Sequence, residues 1–76
     1  MRTHFDYSKL KGRIKEKGYT LEKISKRIGI SLSTLSLKMS NKSYFSQKEM
    51  LDICNILDIE LKKIGDYFFC LISLEN

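Results

Sequence analysis

From residue 8 onward the apolar positions of this chain fall three and four apart, the period of a helix with one buried face. Leu10 and Ile14 mark a first helix, with Ser8 placed to cap it and Gly18 to close it. Thr20 opens a second helix whose inner face is Leu21, Ile24 and Ile28, with the small Ser25 beside it and Gly29 at its end. Glycine suits that stop because a left-handed backbone costs it nothing sterically. Ser31 then begins SLSTLSLKM, which ends at Met39. Its apolar residues partly alternate with Ser and Thr, as in a strand. The stop at Gly29 and start at Ser31 favour a helix, with Leu35 and Met39 sharing its inner face.

Residues 41–45 read as a loop. Ser46 with Glu49 forms a capping box for a fourth helix, whose apolar stripe is Met50, Ile53, Cys54 and Leu57. After a turn at residues 58–60, Leu61, Ile64 and Phe68 support a short fifth helix, weakened by Gly65. The expected fold is all-α: a compact bundle of about five helices, to which the β-prone tail adds at most a short C-terminal strand. A single domain spans 1–76, divided into an N-terminal arm (1–7), a helical bundle (8–66) and an apolar tail (67–76). At 76 residues the chain sits near the lower limit for an unaided core.

Charge is unevenly distributed. Residues 1–42 hold eleven Lys and Arg against Asp6, Glu16 and Glu22, a balance of +8, whereas residues 43–76 hold three lysines against six acids, a balance of −3. A basic half beside an acidic one favours a polyanion approaching from one side. Lys11, Arg13, Lys15 and Lys17 read as the solvated face of the first helix.

Several functions lack their parts. The chain has one histidine, His4, and two cysteines, Cys54 and Cys70, which read as reduced core thiols. No metal site, cofactor site or activated nucleophile is visible, so no cofactor and no enzyme activity are expected. No long apolar run suggests a membrane span or secretory signal, so a cytoplasmic protein of a bacterial cell is expected.

The second and third helices suggest a helix-turn-helix, with the third in the DNA major groove. Its outward face then carries Leu32, Ser33, Ser36 and Leu37. Apolar side chains can contact a thymine methyl, and serines can bond several base edges, so these four are the expected base readers. Phosphate contacts are expected from the start of the second helix at Thr20 and Leu21, and from Lys38, Asn41, Lys42 and Ser43 after the third.

On the residues YTLEKISKRIGISLSTLSLKMSNKS and the following SQKEMLDICNILDIEL, the chain resembles the Cro and phage-repressor helix-turn-helix family, with the lambda-repressor-like fold. The resemblance covers residues 8–66 and implies a small Cro-type prophage regulator, a homodimer on a two-fold double-stranded operator. The sequence departs from that family in three places. Leu21 stands where a glutamine is common, Lys38 where a core residue is usual, and Ser40-Asn41 where Asn-Gly is familiar.

The tail contributes Phe68, Phe69, Leu71 and Ile72 as candidate dimer-interface residues. It either folds over the bundle or pairs as an edge strand, with a two-fold mate or with the arm at Thr3–Phe5. The rival function is a protein-binding antirepressor or antitoxin module of the same fold, whose partner is another protein such as a cognate repressor. Its mark would be a functional apolar patch at Leu37 or on the tail. If Leu37 reads bases, Leu37→Ala changes base preference in a binding titration and leaves thermal stability intact; the opposite result makes Leu37 a packing residue.

Overall fold

The computed structural model describes residues 4–72. Five α-helices follow in order: α1 (Ser8–Glu16), α2 (Leu21–Ile28), α3 (Leu32–Met39), α4 (Gln47–Leu57) and α5 (Ile64–Phe68), with a 3₁₀ turn, Leu61–Lys63, leading into α5. The architecture is all-α. The segment that could have been a strand is helix α3, and its punctuation explains why. Gly29 takes φ +80°, and the Ser31 hydroxyl accepts the Thr34 N–H at 3.0 Å. Thr20 likewise accepts from the Lys23 N–H, and Ser46 and Glu49 form the full capping box on α4. Each cap satisfies amide donors that a helix start leaves orphaned.

At α1 the cap lies elsewhere than expected. Ser8 is the first helical residue, and the Asp6 carboxylate accepts both its N–H (2.9 Å) and its hydroxyl (2.6 Å). A carboxylate two residues upstream closes this turn and also places negative charge at the positive end of the helix.

The helices converge on Leu10, Ile14, Ile24, Leu35, Ile53, Leu57 and Phe68, all buried. Burying one such side chain contributes about 1.5–3 kcal/mol. Packing joins α2 to α3 and α4, and α5 to α1 and α4. Ser25 is buried where α2 meets its neighbours, its hydroxyl donating to the Glu22 carbonyl at 2.7 Å. Arg13 is not part of a solvated face. Its Nε donates to the Leu57 carbonyl (2.9 Å) and its Nη2 to that of Asp58 (3.1 Å), and Lys17 reaches the Asp58 carboxylate at 3.0 Å. Cations from α1 thus close the carbonyl end of α4, where the helix dipole is negative.

The arm meets the residues that follow α5. Phe5 and Leu71 form an isolated antiparallel bridge, with the Asp6 N–H donating to the Cys70 carbonyl (2.6 Å) and the Ile72 N–H to the His4 carbonyl (3.1 Å). Residues 70–72 of the tail therefore pair with the arm of the same chain, whereas Tyr67 and Phe68 belong to α5. Thr3 and the tail beyond Ile72, which entered the expected pairing, lie outside the described residues. Phe68, expected at a dimer interface, is 2 % exposed and belongs to the core. Cys54 is buried and burial pushes its thiol up from 9.0, but Cys70, expected in the core, is exposed. Among the described residues no helix is long and apolar enough to cross a membrane.

Leu35 is 1 % exposed between α2 and the rest of the core. Leu35→Ala is expected to lower the unfolding free energy by about 2–5 kcal/mol, measured by urea denaturation. A loss below about 1 kcal/mol would mean that the site collapses around the smaller side chain.

Candidate functional site

Two surfaces stand out. The first is the outward face of α3. Leu35 and Met39 point into the core, which turns Leu32 (44 % exposed), Ser33, Ser36 and Leu37 (47 % exposed) outward. Lys23, Lys26, Arg27 and Lys42 are exposed on α2 and just after α3. The outward positions of α3 itself, Leu32, Ser33, Ser36 and Leu37, include no Arg, Lys, Asn or Gln of the kind that reads a base edge with two hydrogen bonds.

The expected phosphate contacts are only partly presented there. The Thr20 hydroxyl is used as the α2 cap, and Leu21 is half-buried against the core. Lys42 is exposed and Ser43 half-buried. Lys38 is turned away: its ammonium binds Glu49 Oε1 at 2.6 Å, and the two side chains are only 12 % and 16 % exposed. The same Glu49 oxygen accepts the Ser46 N–H at 2.8 Å. The lysine that stands at a core position is thus neutralised by the capping-box glutamate of the next helix, and Met39 supplies the apolar packing. Asn41 is also diverted. It takes φ +65°, and its carboxamide is hydrogen-bonded to the backbone of Phe5, 36 residues away.

The second surface is a groove of ≈ 310 Å³ between the arm, the loop before α4, and α5 with its following residues. Phe5, Tyr7, Tyr44, Phe45, Met50, Phe68 and Phe69 line it, so six of the chain's eight aromatics meet there. The rings form a connected series of two edge-to-face halves. Phe68 meets Phe45 at 5.3 Å and Phe45 meets Tyr7 at 5.6 Å; Phe5 meets Phe69 at 5.9 Å and Tyr44 at 6.1 Å. Phe5 and Tyr7 are tilted neighbours at 6.2 Å and join the two halves. One end is sealed in the core and the other is open: Tyr44 is 58 % and Phe69 50 % exposed. Burial pushes the Tyr7 phenol above 10.0, with the Tyr44 phenol adding to the effect. Against the far side of Met50 and Phe69 lies a second apolar hollow of ≈ 280 Å³, completed by Gln47, Leu51 and Ile64.

Phe69 was expected at an interface; Tyr44, Phe45, Tyr7, Phe5 and Met50 were not. The available signal was the density of aromatics at positions 5–7, 44–45 and 67–69. Helical periodicity registers little of this signal, because Phe5, Tyr7, Tyr44, Phe45 and Phe69 flank the helices.

Fold and surfaces together define a small all-α bundle with an aromatic groove on one side and a serine-and-leucine helix face on another. The chain belongs to the family described as protein of unknown function (DUF739), which matches residues 3–70. Among solved structures it is similar to the modulator of repression (MOR) of the temperate bacteriophage TP901-1 from Lactococcus lactis. The identity is 35%, the TM-score 0.73, and the match covers 86% of this chain and 88% of that one. No curated protein matches the chain.

These findings overturn the resemblance to the Cro and phage-repressor family. The family that matches is DUF739, and the solved relative is a modulator of repression. The spacing between residues 20 and 41 misled because it records how two short helices pack around a glycine turn. Ile24, Leu35 and Met39, buried in one core where α2 packs on α3, satisfy that packing whatever the outer face does.

Glu49 offers a test of the α3–α4 contact. Burial raises its pKa, but the Lys38 ammonium and the Ser46 donors outweigh burial and hold the carboxyl below its ordinary 4.5. A carboxylate depressed in the folded state stabilises above the unfolded value and loses that contribution as pH falls through the folded one. With Lys38→Met, burial is left less opposed, so the acid loss of stability is expected to begin at a higher pH than in the wild type. Urea midpoints followed from neutral pH to about pH 3 check this; superimposable profiles would show that the pair contributes nothing.

Proposed function

We propose that this chain is a phage regulatory protein that acts by binding a repressor protein, which it docks in the aromatic groove. The groove is the observation that carries the reading. Aromatic side chains bring large rigid area at low entropic cost and are enriched where proteins bind proteins, and a water-exposed row of rings with a sealed inner end is otherwise a liability. The solved relative is a modulator of repression, which supports a partner that represses. Charge supports the same partner. Apart from Phe5 and Tyr7, the groove residues come from the half of the chain with formal charge −3, and a DNA-binding repressor carries a basic surface. Such a regulator works beside DNA in the cytoplasm and needs neither cofactor nor catalytic group.

A second reading keeps the α3 face as a DNA surface, with Leu32, Ser33, Ser36 and Leu37 on bases and Thr20, Leu21, Lys42 and Ser43 near phosphates. The exposed Lys23, Lys26, Arg27 and Lys42 beside it favour that reading. Phe69, Leu71 and Ile72 are all exposed, and a homodimer through them would register as a doubled molecular mass in the assay below.

The test is a titration of the chain against the repressor protein of the phage that carries it, with and without operator DNA, while molecular mass is followed. The wild type is expected to bind the repressor one to one, and Phe69→Ala to weaken binding by about tenfold or more, while Leu37→Ala stays within about threefold. A repressor that is ignored, together with direct and steeply salt-dependent DNA binding by this chain alone, would overturn the proposal in favour of the α3 face.

A further inference from the structure

Phe5 is the residue on which the groove turns. It touches Tyr7, Tyr44 and Phe69, and it sits in an arm that belongs to no helix. Its backbone is held from both sides. On the tail side, the hydrogen bonds flanking the Phe5–Leu71 bridge are made by its neighbours: Asp6 donates to Cys70, and His4 accepts from Ile72. Antiparallel pairing alternates in this way, so the N–H and C=O of Phe5 itself point to the opposite edge. At that edge stands Asn41. The Phe5 N–H donates to Asn41 Oδ1 at 2.7 Å, and Asn41 Nδ2 donates to the Phe5 carbonyl at 2.9 Å.

Two demands meet at Asn41. A paired match to one residue's N–H and C=O needs a side chain with a donor and an acceptor in one plane, which restricts it to Asn or Gln. The turn after α3 needs φ +65°, which among residues with a Cβ favours Asn and Asp. Asn alone meets both. A turn that needed only the backbone angle would be as well served by glycine.

We propose, building on the docking role given to the groove, that Asn41 is its positioning residue. It acts as a one-residue strand that holds the arm, so that the Phe5 ring stands as a wall of the site before any partner arrives. Pre-organisation of this kind sets affinity through the fraction of molecules that are competent to bind.

The variant that isolates the clamp is Asn41→Gly, which keeps the left-handed turn and removes both hydrogen bonds. The first readout is amide exchange in the full chain with no partner present. Exchange at Phe5, Asp6 and Ile72 is expected to speed up by about tenfold, while exchange in α2 and α4 and the melting temperature stay close to the wild type. The second readout is affinity for the repressor protein used in the docking titration, expected to fall by about three- to tenfold. If Asn41 acts through Phe5, the same substitution in a Phe5→Ala background changes affinity little further. Unchanged arm exchange overturns the clamp outright. A freed arm with undiminished repressor affinity, or an equal loss in the Phe5→Ala background, overturns the positioning role. A wild type that ignores the repressor sinks the docking role and with it the positioning of a site, while the exchange readout still decides whether Asn41 holds the arm.

Discussion

The edge-to-face stack of Tyr7, Phe45 and Phe68 is the contact on which the rest of the structure depends. It joins the residue before α1, the residue before the α4 cap and the last residue of α5, three points that no helix connects. A chain of 76 residues has too few helical turns to bury a generous core from helix faces alone. It recruits both ends instead, and aromatics do this efficiently because each removes a large area from water. Because Phe68 and Tyr7 are anchored inside, the residues next to them are brought together outside. Phe5, Phe69 and Leu71 then face one another at the surface. The groove is thus the outer continuation of the stack that closes the core.

The same arrangement separates two surfaces of different character. The α2–α3 side carries an excess of cations around a helix face of leucine and serine. The groove side is aromatic and draws mainly on the acidic half of the chain. Between them lie Lys38 with Glu49 and Asn41 with Phe5, both at or just after the C-terminus of α3. Each takes a polar side chain that could have served the α3 face and commits it to holding the molecule together. A buried pair such as Lys38–Glu49 adds little net stability over an apolar pair, because desolvation offsets most of the attraction. Its consequence is geometric: the end of α3 is tied to the start of α4, and the loop carrying Asn41, Tyr44 and Phe45 spans the short gap between them.

The helices were legible in the sequence because their signals are local. Thr20, Ser31 and Ser46 each reach an amide three residues on, and Gly29 ends α2 by its own backbone angle. The inward Leu35 and Met39 and the outward Leu37 followed from the helical period alone. The candidate site was legible only in fragments. Phe69 and Leu37 were marked as exposed apolar residues, but the groove was not foreseen. Lys38, Asn41 and Arg13 were assigned to solvent or phosphate, because a sequence does not show which distant acid or carbonyl will claim a cation or an amide. The family likeness failed for a related reason: the spacing that suggested a repressor belongs to the α2–α3 packing, which does not decide what the outer face binds.

By itself the sequence determined five helices, the caps of α2, α3 and α4, and the face each helix buries, since those depend on hydrogen bonds and periodicities within three or four residues. The tertiary structure alone decided that the arm pairs with the tail, that Asn41 holds Phe5 from 36 positions away, and that six aromatics from the arm, the loop before α4 and the residues at and after the end of α5 share one groove. Contacts of that kind are chosen by closure of the whole core, and no local pattern along the chain encodes them.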